Sequence, residues 1–315
     1  MTRIGTTELD VLPLVLGGNT FGWTSGEAES FAVLDAFVDA GGGAVDTSDS
    51  YSSWAPGNTG GESETILGAW MAARRNHDTL LIGTKVSRHP EFPGLSPANI
   101  RAAANASLER LGIERIDLYY AHRDDPEVPL ADTVGAFEEL RVAGKIRDVA
   151  VSNYSGDRLA EWIAIAREHG WAAPVAVQPP YNLVRRRFFE KEILPAIEAE
   201  GIVALPYAGL ASGFLTGKYR TAADVEGSPR ADMVADFFSE DGLSVVDLLA
   251  EIAAGHDVAI ATIALAWLGS RPGVAAPIAS ARIPGQLPDL LRYTTVRLSA
   301  DEVAALDRVS ATFAS

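Results

Sequence analysis

The sequence predicts an α/β protein, a (β/α)8 barrel of the TIM type, on three observations. Eight short apolar runs rich in Val, Ile and Leu recur along 315 residues, segments of helical period separate them, and no Pro/Gly/Ser-rich linker interrupts the alternation. Apolar runs without polar alternation read as strands buried on both faces, as in a parallel sheet covered by helices. Eight alternations of strand and helix then close as a barrel. A doubly wound open sheet is the alternative, and it wants a Gly-rich turn leading straight from its first strand into a helix. Leu16-Gly17-Gly18-Asn19-Thr20-Phe21-Gly22 has its glycines at the wrong spacing for that turn. One domain over residues 1–315 is expected.

The elements follow in order. Residues 1–10 are expected to form an N-terminal hairpin closing the bottom of the barrel, and Val11–Leu16 the first strand. Glu27–Ala40 places Phe31, Leu34 and Val38 on one side of a helix that stops at Gly41-Gly42-Gly43, before the second strand at Ala44–Val45. Glu62–Arg74, carrying Ile66, Leu67 and Trp70, leads to the strand Leu80–Lys85. Ser96-Pro97 opens the next helix, to Arg110, as an N-cap followed by proline at the first helical position. The strand Ile116–Ala121 comes next. Helices Leu130–Arg141, Ser155–Glu168 and Phe189–Glu200 alternate with strands Arg147–Val151, Val175–Gln178 and Ile202–Pro206. Residues 207–242 make a long loop after strand 7, and connections of that length in a compact domain are usually functional. A helix over Leu243–Ala254, the eighth strand Val274–Ile278 and a C-terminal helix within 299–312 (Val303, Leu306, Val309) complete the chain.

Bulk properties narrow the function classes. A net charge of −16 and a pI near 4.7 argue against nucleic acid or an anionic membrane as partner. The absence of cysteine excludes disulfides, thiolate nucleophiles and Cys-based metal sites. Gly, Pro or charge interrupts every apolar stretch before membrane-spanning length, and the N-terminus has no signal-like run, so a cytoplasmic protein is expected.

Four residues at strand ends carry proton-transfer chemistry: Asp46, Tyr51, Lys85 and His122. In a parallel barrel all C-terminal strand ends open on one face, so residues far apart in sequence converge there. Tyrosine is a poor acid at neutral pH and needs a nearby cation to stabilise tyrosinate. Lys85, ending Leu81-Ile82-Gly83-Thr84-Lys85, can be that cation, with Asp46 holding the ammonium. His122, in Tyr119-Tyr120-Ala121-His122-Arg123, can orient a carbonyl oxygen or relay a proton. Lysine is scarce, four among 26 basic residues, so one kept at the end of an apolar strand is informative. Singly, each has a bland use: a helix cap, packing, a solvated amine, a satisfied imidazole. On four ends of one face the bland uses lose ground. Metal chemistry competes for an Asp/His pair, but the five histidines (77, 89, 122, 169, 256) show no close ligand spacing, so no metal is expected. No carboxylate pair for glycoside hydrolysis stands out.

Asp46-Thr-Ser-Asp-Ser-Tyr51, Gly83-Thr-Lys85 and Tyr119-Tyr-Ala-His-Arg123 resemble the signature segments of the aldo-keto reductases, in order and over about residues 3–310. The resemblance implies an NAD(P)H-dependent (β/α)8 enzyme that reduces aldehydes and ketones, with those four residues as its tetrad. By the same likeness Ser152, Asn153 and Gln178 bind the nicotinamide carboxamide and Tyr207 stacks on the ring. The segment Tyr207-Ala-Gly209-Leu210-Ala-Ser212-Gly213-Phe-Leu215-Thr-Gly217-Lys218 covers the diphosphate, its glycines admitting backbone amides to phosphate oxygens. Gly18, Asn19, Thr20 and Ile278 join the cofactor set.

Arg282 matches the residue that pairs with an adenosine 2′-phosphate, Ser280 adds a donor there, and Gln286 fits the adenine end. NADP(H) is therefore preferred and NAD(H) second, since a guanidinium suits a dianionic phosphate. Departures are Ala279-Ser280 for the more usual Pro-Gly, and Leu290 where an adenine-contacting Asn is common, with Asp289 beside it. Trp23, Trp54, Tyr154 and Tyr181 or Asn182 are expected on the loops that line a substrate pocket. A small-molecule carbonyl or alcohol is the expected partner. Some relatives of the same fold act as regulatory subunits of membrane channels, so a cofactor-sensing module with little turnover is the alternative.

Overall fold

The computed structural model describes residues 1–227 and 231–315; residues 228–230, inside the expected 207–242 loop, lie outside the described residues. Eight parallel strands form one sheet: β1 (Val15–Gly17), β2 (Ala44–Asp46), β3 (Leu81–Val86), β4 (Ile116–Ala121), β5 (Ile146–Ser152), β6 (Ala176–Gln178), β7 (Val203–Ala204) and β8 (Ile278–Ala279). Their order is β8-β1-β2-β3-β4-β5-β6-β7, and the two ends meet. Ala204 bridges Val274 in parallel, Ala275 N donates to Ala204 O at 2.9 Å, and Ile278 N donates to Pro206 O at 2.8 Å. This is the (β/α)8 arrangement the alternation predicted, closed without an edge.

Helices α1 (Glu27–Asp39), α2 (Glu62–Arg74), α3 (Pro97–Leu111), α4 (Leu130–Val142), α5 (Gly156–His169), α6 (Leu194–Glu200), α7 (Glu240–His256), α8 (Ile260–Gly269), α9 (Leu287–Arg292) and α10 (Ala300–Val309) surround the sheet. Their starts follow the chain chemistry. Ser96 and Ser155 accept from the amides of Asn99 and Arg158, and Ser299 with Glu302 forms a reciprocal capping box. The main core lies between sheet and helices, around Trp70, Phe137, Trp162 and Trp267. A second cluster (Ile4, Val11, Val15, Leu81, Leu118, Leu205) fills the barrel towards its N-terminal end.

Three differences from the sequence reading have local causes. β1 starts four residues later than expected because Val11 turns back to pair with Thr2, at 2.8 and 2.9 Å, completing the N-terminal hairpin. The expected helix Phe189–Glu200 opens as a wide π turn over Phe189–Ile193; Pro195 has no N–H to give the preceding turn. α8 was not foreseen: Ile260-Ala-Thr-Ile-Ala-Leu-Ala-Trp-Leu-Gly269 is apolar on every side, so it shows no period, and eight of its ten residues are buried. A short hairpin, Arg88–His89 with Phe92–Pro93, also follows β3. Among the described residues no single helix is long and apolar enough to cross a membrane, and α7 meets α8 at 99°.

Candidate active site

Parallel register sets the strand ends side by side. Gly17 pairs with Asp46, Asp46 with Gly83, Lys85 with Tyr120 and Ser152 with Gln178. Gly83 makes room inside the barrel: a Cβ there would come within 3.2 Å of the Tyr120 ring and 3.8 Å of Asp46 Oδ1. The four residues expected to act together do converge. Lys85 Nζ donates to Asp46 Oδ2 at 2.6 Å, to the Thr47 carbonyl at 2.6 Å and to the Tyr51 hydroxyl at 2.9 Å. Tyr51 donates in turn to Asp46 Oδ2 at 3.1 Å, and its ring centroid lies 6.1 Å from that of His122. Lys85 is wholly buried, with its ammonium 4.6 Å from the Tyr51 ring centre and 5.4 Å from that of Tyr120.

Burial governs the charges. It pulls the Lys85 ammonium below its usual range, opposed by the Asp46 carboxylate. It pushes the Tyr51 phenol well up, and Asp46 pushes the same way. It holds His122 well below the usual imidazole range, helped by the positive charges of Lys85 and Arg88. The site at rest is therefore a neutral phenol and a neutral imidazole around one buried ion pair. The expectation that Lys85 lowers the phenol meets an opposing carboxylate in this resting state. A phenol that keeps its proton until an oxygen arrives is the form a general acid needs.

A polar patch adjoins the tetrad. Gln178 Nε2 donates to Asp46 Oδ1 at 2.8 Å, Ser152 Oγ to the Gln178 carbonyl at 2.9 Å, and Asn153 Nδ2 to Ser152 Oγ and the His122 carbonyl at 3.0 and 2.9 Å. The half-buried Tyr207 donates to Asn153 Oδ1 at 2.8 Å, a tie that motif spacing could not reveal. Beyond Tyr207 the chain passes through Ala208 (φ 56°), Ala211 (φ 47°), Ser212 (φ 58°) and Gly213 (φ 100°). Non-glycine residues in that region cost on the order of 1 kcal/mol or more each, and such strain collects where a ligand is clamped. A side chain at Gly213 would press on Lys218, whose ammonium sits 2.9 Å from that position. Gly209 instead makes close packing against Leu265 and Leu268, and Leu215 is core, so neither presents a side chain to a ligand. Leu210 is half-buried and Gly217 (φ 75°) caps the turn.

Other expected cofactor residues divide into open and closed. Arg282 is exposed and its guanidinium has no ion pair among the described residues, while its amide donates to Gln286 Oε1 at 2.8 Å. Ser280 Oγ donates to Asn19 Oδ1 at 2.6 Å, tying the β1 and β8 loops together. Thr20 is closed off, its hydroxyl donating to the Ala281 carbonyl, and Gly18 packs against Ser63. Ile278 belongs to β8. Leu290 is 4 % exposed within the core, which is why an apolar residue stands there; Asp289 offers its carbonyl to Thr262.

Two of the residues expected to line a pocket lie near Tyr51: Trp23 and Trp54 meet edge to face at 5.5 Å, Trp54 lies 6.3 Å from Tyr51, and its exposure is 51 %. The other two lie elsewhere. Tyr154 packs on Trp162 and Tyr181 on Phe189 and Trp267, with the Tyr181 hydroxyl donating to Glu190. At 3 % and 1 % exposure they offer a substrate no surface. Each follows a strand end by a few residues, and the chain there has already turned into the helix layer. Asn182 is likewise buried, bonding the Ala208 carbonyl. No cluster of three or more potential metal ligands occurs among the described residues.

Comparison with known proteins agrees with this arrangement. The family model described as "Aldo/keto reductase family" matches residues 13–311. The protein Tas of Escherichia coli is 31 % identical, over 98 % of this chain and 96 % of its own length. Aldo-keto reductase YhdN of Bacillus subtilis is 30 % identical over 96 % and 89 %, and a putative voltage-gated potassium channel subunit beta of Schizosaccharomyces pombe is 32 % identical over 90 % and 85 %. With a match across almost the whole barrel, the chain belongs to the aldo/keto reductase family.

Proposed function

We propose that this protein reduces an aldehyde or ketone to the alcohol, reversibly, and that it takes NADP(H) in preference to NAD(H). The observation that carries the reading is the Tyr51 hydroxyl, held between the buried Lys85 ammonium at 2.9 Å and Asp46 at 3.1 Å. Tyr51 gives its proton to the carbonyl oxygen. Lys85 meets the negative charge as it forms on the phenol oxygen, a preorganised interaction strengthened by burial. Asp46 holds that ammonium at the right atom, and the neutral imidazole of His122 donates a hydrogen bond that positions the carbonyl.

The residues present fit a nicotinamide dinucleotide. Ser152, Asn153 and Gln178 would hold its carboxamide, the half-buried Tyr207 would face its ring, and the left-handed loop at Ala211–Gly213 with Lys218 would clasp its diphosphate. When bound, that group supplies or takes back the hydride. Arg282, an exposed guanidinium with no ion pair among the described residues in a chain of net charge −16, suits a 2′-phosphate, which favours NADP(H). Arg282→Ala should weaken NADPH binding about 10- to 100-fold, the worth of a charged hydrogen bond, and leave NADH binding unchanged.

Tyr51→Phe should still bind NADPH, read by fluorescence titration, and lose about 10²- to 10⁴-fold in turnover of a simple aldehyde such as 4-nitrobenzaldehyde. Wild-type turnover in that variant would overturn the mechanism. A second reading, a cofactor-binding regulatory module, is favoured by the name of the channel-subunit relative. It predicts a titratable NADPH site with no turnover by the wild-type protein across a carbonyl panel.

A further inference from the structure

The tetrad does not account for a second buried cluster behind His122. Ser48 and Asp49 are fully buried, on the segment between β2 and Tyr51. The Ser48 hydroxyl lies 3.2 Å from His122 Nδ1 and 3.2 Å from Asp49 Oδ1, and it accepts from the Ser50 amide at 3.2 Å, with Ser50 Oγ at 3.0 Å. Asp49 Oδ2 is buried with no hydrogen-bond partner among the described residues. A hydroxyl carries one proton. It cannot donate to the imidazole and to the carboxyl group together, so the direction of this chain is a two-way choice.

We propose that Asp49, acting through Ser48, decides which ring nitrogen of His122 carries the proton. When Asp49 is a neutral acid it donates to Ser48 Oγ, and Ser48 donates to His122 Nδ1. The imidazole proton then sits on Nε2, which makes no hydrogen bond among the described residues and is free to donate to a carbonyl oxygen. When Asp49 ionises, Ser48 turns to donate to Oδ1 and accepts from a protonated Nδ1. Nε2 becomes a bare lone pair facing an oxygen it can no longer hold. His122 carries one proton in both states. The Asp49 proton passes to Ser48 Oγ, the Ser48 proton passes to His122 Nδ1 and the proton on Nε2 leaves for solvent, so one proton is lost in all and it is Asp49 that ends ionised.

The surroundings favour the neutral acid at physiological pH. Groups facing Asp49 come from every element around it: Glu64 of α2, Arg110 of α3, Lys85 of β3 and Tyr119 of β4. Burial pushes the Asp49 carboxyl up to about 8 and Glu64 adds repulsion, while the Ser48 hydrogen bond, Arg110 and the Ser50 amide oppose both only in part. Arg110 is already engaged with Glu64 at 2.7 Å, and the Tyr119 hydroxyl has no hydrogen-bond partner among the described residues. Asp49 is thus a positioning residue. This deepens the proposed reductase reading, because it concerns the donor that His122 offers there, but its test does not depend on turnover.

The test is the ¹⁵N spectrum of the histidine rings in the whole protein, labelled at its five histidines and followed from about pH 6 to pH 10, with His122→Gln identifying the resonances. The wild-type His122 should show a protonated Nε2 and a bare Nδ1 at the acid end. The two should exchange character with a midpoint near pH 8. Asp49→Asn, whose amide can donate to Ser48 but not ionise, should keep the Nε2-protonated pattern throughout, and Ser48→Ala should abolish the exchange. A wild-type pattern constant over the whole range, or an unchanged transition in Ser48→Ala, would overturn the proposal. Either result would leave the Tyr51→Phe assay free to decide the reductase reading on its own.

Discussion

Towards the N-terminal end of the barrel, Asp148 of β5 accepts from the Thr6 amide at 2.7 Å and the Thr6 hydroxyl at 2.9 Å. Nearby, Asp117 of β4 accepts from the Ile82 amide at 3.0 Å and pairs with Arg147 at 2.9 Å. Both carboxylates meet donors that hold their protons at any pH the protein meets. At the C-terminal end Asp46 touches an amine, a phenol and an amide, and Asp49 reaches an imidazole through one hydroxyl. The two ends share a fold and a taste for buried carboxylates. One end uses them to pin strands and the N-terminal hairpin; the other surrounds them with groups whose protons can move. The contrast lies in the partners, and it can be broken residue by residue.

The largest effect is expected at Lys85. Replacing it with Met keeps the stem's volume but strips the charge that faces Asp46, and breaking one side of a buried pair costs about 3–5 kcal/mol. Turnover should fall about 10²- to 10⁴-fold, because nothing then stabilises the phenolate. Urea unfolding and a steady-state assay read the two separately. Adding Asp46→Asn should return much of the stability by removing the stranded charge and none of the turnover. If the double variant recovers activity, the ion pair is only structural and the contrast between the two ends fails.

How far the sequence alone reaches follows the same divide. Asp46, Tyr51, Lys85 and His122 were legible because strand ends share a face and their residue types are rare there. Parallel register then did the rest. Tyr154 and Tyr181 were misplaced because a few residues past a strand end the chain turns outward, and sequence distance does not say when. Ser48 and Asp49 lay in plain view within Asp46–Tyr51, but a short polar run reads as turn chemistry until coordinates show its hydroxyl against His122. α8 escaped for the opposite reason, since a helix buried on all sides has no polar face to set its period.

Asp49 should also tilt stability with pH. Its folded-state value, about 8, lies above the ordinary carboxyl value of 3.8. Between those two values the unfolded chain has lost the proton and the folded one still holds it. The unfolded state therefore binds fewer protons, and stability falls as pH rises from about 4 to about 8, by at most about 1.4 kcal/mol per unit from this group. Above pH 8 both states are ionised and the contribution levels off. Asp49→Asn should flatten that slope, leaving the variant more stable relative to wild type at pH 8 than at pH 5 by urea unfolding. Equal differences at the two pH values would mean that the carboxyl is already ionised in the folded protein across that range.

The smallest effect belongs to Asp148. Asp148→Asn keeps the shape and one good acceptor for the Thr6 amide, but an amide nitrogen replaces the oxygen that meets the Thr6 hydroxyl, and both bonds lose their charge assistance. A loss of about 1 kcal/mol in unfolding free energy is expected, with faster amide exchange in the N-terminal hairpin. Turnover and its pH profile should not move, because the hydrogen bonds of this carboxylate go to Thr6 and to none of the tetrad. A shifted pH profile would mean that the N-terminal end is electrostatically continuous with the site, so that the division of labour between the two ends is one of degree.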